Sequence, residues 1–197
     1  MIAIFDYGAG NLQSVRNTLD SIGASYQLTR SSEGLLRASK IILPGVGHFG
    51  QIMRSLDDLC VREALVDRVH AGIPFLGICL GLQALFTASE EAPGEEGLGI
   101  FEGTVARFQG NLRIPHMGWD QIELRKPSRL LKGVGAAPYF YFAHSYYCPL
   151  VPATAASCDY IVPYTAVLEH DNIFGVQFHP EKSGALGQIV VRNFVEL

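Results

Sequence analysis

The stretch IPFLGICLGLQ, at residues 73–83, joins a short apolar run to a cysteine that stands between two glycines. Residues 75–78 form an unbroken apolar segment, which is typical of a strand buried on both faces of a parallel sheet. After the cysteine, apolar side chains recur at the three- and four-residue spacing of one helix face, at Leu82, Leu85 and Phe86. The stretch therefore predicts a buried strand, a sharp turn at the cysteine and then a helix.

Gly77, Cys79 and Gly81 form a G-x-C-x-G motif at the predicted turn from strand to helix. A strained turn of this kind holds a nucleophile clear of the sheet, and glycines leave room for the tight backbone. The unpaired amides and the dipole at the start of the helix favour a thiolate, and the N–H of Leu80 is placed to stabilise an oxyanion. The motif therefore indicates a nucleophilic cysteine; the alternative is a buried structural cysteine.

The bulk composition limits the classes of function. With 197 residues, of which 48% are hydrophobic, the chain predicts one well-buried domain over residues 1–197. A net charge of −4 without a basic stripe argues against nucleic acid as the main partner. No segment is long enough to cross a bilayer, and the first residues lack the basic region of a signal peptide, so no membrane partner is predicted. The four cysteines form no C-x-x-C pair or disulfide framework, and we expect a reducing cytoplasm.

Strand and helix patterns alternate in the first half of the chain, which predicts βαβ units. Strands are predicted at residues 2–5, 25–28, 40–43 and 75–78, with one helix that ends near residue 22 and another through residues 61–69. Short strand-like runs follow at residues 104–108, 119–124, 139–142, 155–158, 165–168 and 173–178, before a final helix at about residues 187–195. The pattern predicts an α/β fold with a mostly parallel sheet, which binds ligands at the carboxyl ends of its strands, where Cys79 falls.

His179 and Glu181 stand two positions apart, in the sequence HPE, where the last predicted strand ends. Proline disfavours helix at the residue before it, so we expect extended backbone at His179 and both side chains on one side. In this geometry His179 takes the thiol proton of Cys79, while Glu181 fixes the imidazole tautomer. On its own the tripeptide is more typical of a surface turn, but beside the G-x-C-x-G motif it indicates a Cys-His-Glu triad.

Other motifs carry weaker signals. The sequence PGVG at residues 44–47 follows a buried strand, and its glycines permit an amide to be aimed or flipped toward a substrate oxygen, although a plain turn explains them equally well. The sequence GAGNLQ at residues 8–13 starts like a dinucleotide fingerprint but has Gln13 in place of the third glycine, and Asn11 is explained as a helix N-cap. The six histidines show no metal-ligand spacing, so no metal site and no cofactor are predicted.

With Cys79, His179 and Glu181, the chain resembles the class I (triad) glutamine amidotransferases. Further motifs are similar to the glutaminase subunits of imidazole glycerol phosphate synthase, namely DYGAGNL at 6–12, PGVG at 44–47, PHMGW at 115–119, HSY at 144–146 and HPEKS at 179–183. The resemblance spans nearly the whole chain, and DYGAGN and PHMGW are the motifs specific to this subunit. It implies a flavodoxin-like fold, with an open, mostly parallel twisted sheet flanked by helices and an additional antiparallel portion in the second half.

The resemblance also implies a mechanism and a partner. Cys79 attacks the carboxamide of L-glutamine, ammonia leaves with a proton from His179, and water then cleaves the glutamyl thioester. The ammonia passes to a (β/α)8-barrel cyclase subunit in a heterodimer, which forms imidazole glycerol phosphate and the aminoimidazole carboxamide ribonucleotide in histidine biosynthesis. In this family the glutaminase is nearly silent until the cyclase binds its nucleotide ligand, and the loop at residues 44–47 is the expected switch.

The resemblance assigns roles to further residues. The oxyanion amides belong to Val46 and Leu80. The residues that hold the substrate glutamine are Gly47, Gln83, Glu91, His144, Ser145 and Tyr146. The residues that face the cyclase are Asn11, Trp119, Tyr141 and Lys182. Three positions depart from the family pattern, since a small residue, an asparagine and a glutamine are common at His48, Asp120 and Gly184.

Three alternatives to this function stay open at the level of the sequence. A paralogous glutaminase that feeds a sugar amidotransferase of surface-polysaccharide synthesis would share the triad and differ only in its acceptor. A free-standing cysteine hydrolase of similar fold would need no partner surface. A regulatory module that has kept the fold would need no chemistry, and the intact triad argues against it.

Overall fold

The computed structural model describes residues 1–8 and 11–197, so Ala9 and Gly10, within the GAGNLQ motif, lie outside the described residues. The strands are β1 Ile2–Phe5, β2 Tyr26–Thr29, β3 Lys40–Gly45, β4 Phe75–Cys79, β5 Phe86–Ser89, β6 Phe101–Arg107, β7 His116–Gln121, β8 Glu123–Leu124, β9 Tyr139–His144, β10 Tyr146–Tyr147, β11 Thr154–Asp159, β12 Pro163–His170 and β13 Ile173–Val176. The helices are α1 Leu12–Ser21, α2 Ser32–Arg37, α3 Phe49–Asp58, α4 Arg62–His70, α5 Leu80–Gln83 and α6 Gly184–Glu196, and a 3₁₀ turn spans Pro180–Lys182.

One open sheet of eight strands organises the chain, in the order β2-β1-β3-β4-β13-β12-β11-β8. The strands from β2 to β13 in this order are parallel, whereas β12, β11 and β8 continue the sheet in antiparallel pairs. The expected α/β fold, mostly parallel with an antiparallel portion from the second half, is therefore confirmed. Two smaller sheets, β10-β6-β5 and β7-β9, lie beside it.

The central strands are buried on both faces, as their unbroken apolar sequences predict. In β1, Ile2 and Ile4 belong to one hydrophobic cluster, while Ala3 and Phe5 belong to the other. Helices α1 and α6 contribute to the first cluster, and α2, α3 and α4 contribute to the second. Within the described part of the chain, no helix has the length and apolar character needed to cross a membrane.

The prediction of a long helix after Cys79 is wrong. Helix α5 has four residues and ends at Gln83, and Phe86 begins strand β5. The three apolar residues that suggested one helix face are all buried, but in different local structures, so their burial produced a helical spacing by coincidence.

Helix α3 was not predicted although its buried residues have clear helical spacing, at Phe49, Ile52, Met53 and Leu56. The short elements α2, β5 and β10 were not predicted either.

Glycines allow α5 to pack directly on the sheet. A Cβ atom on Gly81 would lie 1.9 Å from the carbonyl oxygen of Leu43, and one on Gly77 would lie 2.5 Å from the carbonyl oxygen of Gly81. Because both contacts are with backbone, no side-chain rotation could relieve them. Cys79, between these glycines, has a φ of 53°, a left-handed conformation that is uncommon for residues other than glycine. The predicted strained elbow is therefore present, and its tight packing depends on the flanking glycines.

We expect Gly81→Ala to lower the free energy of unfolding by at least about 2 kcal/mol, because the added methyl group overlaps the backbone of β3. Chemical denaturation followed by circular dichroism measures the change. Gly23→Ala is the matched control, since Gly23 has a φ of +71° but open space around its missing Cβ. That control should cost about 1 kcal/mol from backbone strain alone. Equal losses in the two variants would contradict the steric explanation.

Candidate active site

Cys79 lies at the carboxyl end of the central strand β4, between β3 and β13. The parallel register places Gly45 of β3 opposite Cys79, so the loop that follows Gly45 borders the thiol. A cavity of about 210 Å³ opens here, and its lining residues are Val46, Gly47, Cys79, Leu80, Gln83, Glu91, Pro115, Met117, Ala143, His144, Ser145, Tyr146 and His179. The structure thus brings the predicted nucleophile, oxyanion residues and substrate residues to one cavity. Pro115, Met117 and Ala143 were not among the predicted residues.

His179 and Glu181 form a buried pair next to the nucleophile. His179 Nδ1 lies 2.8 Å from Glu181 Oε1, and the two side chains are each 3% exposed. The backbone at His179 is extended, with φ −97° and ψ 96°, as predicted from the proline that follows. The chain then enters the 3₁₀ turn, and this turn brings the carboxylate back to the ring. Since Nδ1 serves Glu181, Nε2 is the ring nitrogen available to Cys79, and His179 and Cys79 line the same cavity.

The charges of the triad fix the protonation of His179. Burial lowers the pKa of His179, but the negative charge and hydrogen bond of a Cys79 thiolate and the Glu181 carboxylate outweigh burial and raise that pKa to about 10. The ring therefore keeps its proton at neutral pH while it faces the sulfur. The site can hold a thiolate beside an imidazolium, which is the state that attacks an acyl carbon.

Gln177 contacts the nucleophile and was missed by sequence analysis. Its Nε2 donates to Cys79 Sγ at 3.5 Å, and its Oε1 accepts from Gln83 Nε2 at 3.1 Å. The thiol of Cys148 also faces Gln177 Oε1, at 4.0 Å, and burial raises the pKa of Cys148 well above its usual value. The sequence shows a polar Gln177 between the apolar Val176 and Phe178, but it does not show which partner its buried amide contacts.

Gln83 presents a single atom to the cavity. The two hydrogens of its amide nitrogen go to the carbonyl oxygen of Tyr146, at 2.8 Å, and to Gln177. With both donors used, only Gln83 Oε1 is available to a ligand, and this atom is an acceptor. The cavity therefore offers a hydrogen-bond acceptor where a ligand ammonium could bind.

His144 forms part of the cavity wall but keeps both ring nitrogens inside the protein. Its Nδ1 donates to the carbonyl oxygen of Tyr146 at 2.8 Å, and its Nε2 lies 3.3 Å from the hydroxyl of Tyr164. Burial lowers the pKa of His144 to about 3, so the ring is neutral. His144 therefore shapes the cavity and holds Tyr146 in place, and it cannot supply a positive charge to a ligand.

Two residues near the cavity mouth stabilise the start of α3. Glu91 Oε2 accepts from the backbone N–H of Phe49 at 2.7 Å, and His48 Nδ1 accepts from the N–H of Gly50 at 3.1 Å. The imidazole of His48 thus acts as an N-cap, which gives a structural reason for histidine at a position where a small residue is common. Glu91 lines the cavity while one of its oxygens serves the helix.

The predicted oxyanion amide of Val46 is engaged elsewhere in this conformation. Its N–H donates to the hydroxyl of Tyr7 at 3.1 Å, and that hydroxyl donates to the carbonyl oxygen of Val46 at 3.2 Å. Tyr7 is 4% exposed, and burial raises its pKa to about 12, so the hydroxyl stays protonated. Strand β3 also extends through Gly45, so the loop begins two residues later than the PGVG motif suggested. The amide of Val46 must leave Tyr7 before it can bind an oxyanion.

Three of the four residues assigned to a partner surface lie together. The rings of Trp119 and Tyr141 are 6.3 Å apart, and Lys182 Nζ lies 5.8 Å from the centre of the Tyr141 ring. Trp119 is 57% exposed, which is unusual for so large an apolar side chain. Asn11 precedes α1, but its side chain accepts from the hydroxyl of Ser14 and makes no N-cap hydrogen bond to the backbone, contrary to the prediction.

We expect Cys79→Ala to lower the pKa of His179 below its value of about 10, because the variant removes the thiolate that raises it most. The ring then loses its proton at a lower pH, and nitrogen-detected NMR of the imidazole measures the shift. Cys148→Ala is the control, since it removes a buried thiol that is not hydrogen-bonded to the ring. An unchanged pKa in Cys79→Ala would contradict the thiolate–imidazolium pair.

Comparison with known proteins agrees with this geometry. The family model for class-I glutamine amidotransferases matches residues 3–197. The chain is 48% identical over 198 residues to an imidazole glycerol phosphate synthase subunit HisH from Methanothermobacter thermautotrophicus, covering 100% of this chain and 98% of that one. It is 46% identical over 203 residues to the subunit of the same name from Thermococcus kodakarensis, with both chains fully covered.

Solved structures show the same fold at low sequence identity. A crystal structure described as a glutamine amidotransferase superposes with a TM-score of 0.78 at 20% identity, covering 99% of this chain and 97% of that one. The structure of PurLQS from Thermotoga maritima gives a TM-score of 0.77 at 16% identity, covering 99% and 97% of the two chains. At this identity the solved structures show the fold alone, whereas the full-length sequence match shows the family. The chain belongs to the class-I glutamine amidotransferases and, among them, to the HisH subunits of imidazole glycerol phosphate synthase.

Proposed function

We propose that this chain is the glutaminase subunit of an imidazole glycerol phosphate synthase and supplies ammonia from L-glutamine for histidine biosynthesis. The observation that carries the proposal is the buried pair of His179 and Glu181, 2.8 Å apart, beside a cysteine on a strained elbow. The full-length similarity to HisH subunits supports the choice of reaction. The catalytic residues are Cys79, His179 and Glu181.

The proton on His179 determines the order of the chemical steps. The Cys79 thiolate attacks the carboxamide carbon, and the imidazolium gives its proton to the leaving nitrogen, which departs as ammonia. The neutral imidazole then takes a proton from water, and the resulting hydroxide attacks the glutamyl thioester. The product leaves as the side-chain carboxylic acid and gives its proton to solvent to form glutamate, which leaves the thiolate and imidazolium restored. Glu181 holds Nδ1 throughout, so that Nε2 is always the nitrogen that exchanges the proton.

The cavity suits a small amino acid in size and polarity. Its volume of about 210 Å³ is small, and Gln83 Oε1 is the acceptor that we assign to the α-ammonium group of glutamine. Gly47, Glu91, Ser145 and Tyr146 complete the substrate wall, and Leu80 provides an oxyanion amide at the start of α5. Because Val46 lines the same cavity, its amide becomes the second oxyanion donor once it is released from Tyr7.

The partner that we propose is a (β/α)8-barrel cyclase subunit. The exposed Trp119, with Tyr141 and Lys182 beside it, offers an aromatic and cationic surface of the kind enriched at protein interfaces. Asn11 completes this surface, because α1 packs against the 3₁₀ turn that carries Lys182. The cyclase, with its nucleotide ligand bound, is proposed to move the loop after Gly45 into the active conformation. We expect the complex in the cytoplasm.

The decisive experiment is glutamate release from glutamine by the purified chain, alone and with a histidine-pathway cyclase subunit plus its nucleotide ligand. We expect strong activation by the liganded cyclase and loss of all turnover in Cys79→Ala. Turnover that depends on Cys79 but ignores the cyclase would keep the glutaminase and reject this partner. An active Cys79→Ala variant would reject the triad.

We expect Tyr7→Phe to raise the basal glutaminase rate without the cyclase, because the hydroxyl no longer competes for the amide of Val46. Two hydrogen bonds of about 1 kcal/mol each are lost, so the rise is at most about thirtyfold. The stimulation ratio should fall by the same factor while the fully activated rate stays similar. The control is Tyr26→Phe, which removes a hydroxyl that contacts the side chains of Arg16 and Asp20 far from the cavity. A lower basal rate in Tyr7→Phe would mean that Tyr7 supports the active conformation.

A further inference from the structure

His116, Asp120 and Cys158 converge outside the proposed triad. His116 Nε2 lies 3.2 Å from Asp120 Oδ2, and Cys158 Sγ lies within 4.8 Å of a ligand atom of each residue. His116 and Asp120 belong to β7 and Cys158 belongs to β11, so the group joins the small sheet to the main one. His116 is 3% exposed and Cys158 is 1% exposed. No spacing in the sequence indicated this group, because Cys158 comes from a strand distant in sequence from the other two residues.

In one arrangement of the hydrogen atoms around this group, the proton of His116 lies on Nδ1. His144 Nδ1 must be a donor, because it faces the carbonyl oxygen of Tyr146. The neutral ring therefore has a lone pair on Nε2, and the hydroxyl of Tyr164 donates its one hydrogen there. The Tyr164 oxygen then accepts from His116 Nδ1, which lies 3.1 Å away. His116 is left with a lone pair on Nε2.

Two acceptors therefore face each other at 3.2 Å. The lone pair of His116 Nε2 points at Asp120 Oδ2, while Asp120 Oδ1 is already occupied by the backbone N–H of Gln121 at 2.8 Å. A bound cation or a shared proton satisfies both atoms. The ring of Tyr160 stacks on His116, with centroids 3.9 Å apart and an angle of 11°, and this holds the plane of the imidazole. The sulfur of Cys158 supplies a third ligand atom.

We propose that His116, Asp120 and Cys158 form a site for Zn²⁺. Imidazole nitrogen, thiolate sulfur and carboxylate oxygen are the ligands that zinc takes in proteins. In a tetrahedral zinc site such atoms lie roughly 3.3 to 3.6 Å apart, so closing this group needs a movement of no more than about 1.5 Å. Tyr164 accepts the other N–H of His116, which is the supporting contact that zinc-bound histidines usually make.

An ion can reach the site from solvent, and its binding releases one proton. The side chain of Asp120 is 33% exposed, so an ion can reach the group from solvent past this carboxylate. Three protein ligands leave the fourth position to water. Binding converts the Cys158 thiol to a thiolate, and its proton is released to the buffer.

Cobalt(II) titration of the purified full chain tests the site, because Co²⁺ replaces Zn²⁺ and reports a thiolate ligand by a charge-transfer absorption band. The titration uses a Cys60→Ser, Cys79→Ala background, since Cys60 is exposed and Cys79 with His179 is a second sulfur–imidazole pair. We expect one equivalent of Co²⁺ with the charge-transfer band, displacement by Zn²⁺ and release of one proton per ion. This readout is independent of glutaminase activity, so its failure leaves the proposed function untouched.

Two variants locate the ion. Asp120→Asn and Cys158→Ser in the same background should each weaken binding at least about tenfold, and Cys158→Ser should also abolish the charge-transfer band. Asp159→Asn, next to Cys158 but outside the group, should bind as the background does. Because Asp120 is partly exposed, its variant remains a test if Cys158→Ser proves unstable. Absence of the band in the background, or binding that survives Asp120→Asn, would overturn the site and leave a shared proton between His116 and Asp120.

Discussion

The close packing of α5 on β3 and β4 is the constraint on which the rest of the site depends. Gly81 lies against the carbonyl of Leu43 at a distance that excludes even a methyl group. The chain turns from β4 into α5 at Cys79, which has a φ of 53°. The parallel register on either side then brings the Val46 loop from β3 and Gln177 from the end of β13 to the same sulfur. The backbone geometry thus comes first, and the chemistry follows from it.

Most groups in the cavity are held by partners inside the protein. His144 holds Tyr146, Glu91 holds the start of α3, and Gln83 uses both of its donors on neighbours. Gln83 therefore presents only an acceptor to the cavity, and His144 presents neither ring nitrogen. Such preorganisation lowers the reorganisation needed when charge develops on a substrate. The amide of Val46 differs from these groups, because it must leave its partner Tyr7 before it can bind an oxyanion.

The sequence was most informative where one local pattern had one physical cause. Buried strands, the glycine-flanked elbow and the extended backbone before Pro180 follow from short-range rules, and each is present. The helix predicted after the elbow failed because the spacing of Leu82, Leu85 and Phe86 arose from burial in separate elements. Gln177 was not found because contact with Cys79 depends on how β13 lies beside β4. Long-range pairing of this kind leaves no periodic signal in one sequence.

The residue roles came from a different source than the fold. Spacing alone suggested a nucleophile, a base and a carboxylate, whereas the substrate and partner residues came from resemblance to a family. The structure brings the substrate residues to one cavity, which a list of motifs could not establish. The engagement of Val46 by Tyr7 could be read from neither source, because it depends on the side chain of a residue 39 positions away.

The side-chain amide of Gln177 contacts two buried sulfurs, those of Cys79 and Cys148, and gives them different protonation preferences. Its N–H faces Cys79 and its carbonyl oxygen faces Cys148, so it favours negative charge on the first sulfur and a proton on the second. Gln83 prevents the amide from turning over, because it donates to that same oxygen. An oxidant or electrophile that enters the core therefore meets one sulfur that faces an amide N–H and one thiol whose pKa is raised by burial. Gln177, which contacts Cys79 and Cys148 behind the cavity wall, thus favours oxidation of Cys79 over oxidation of Cys148.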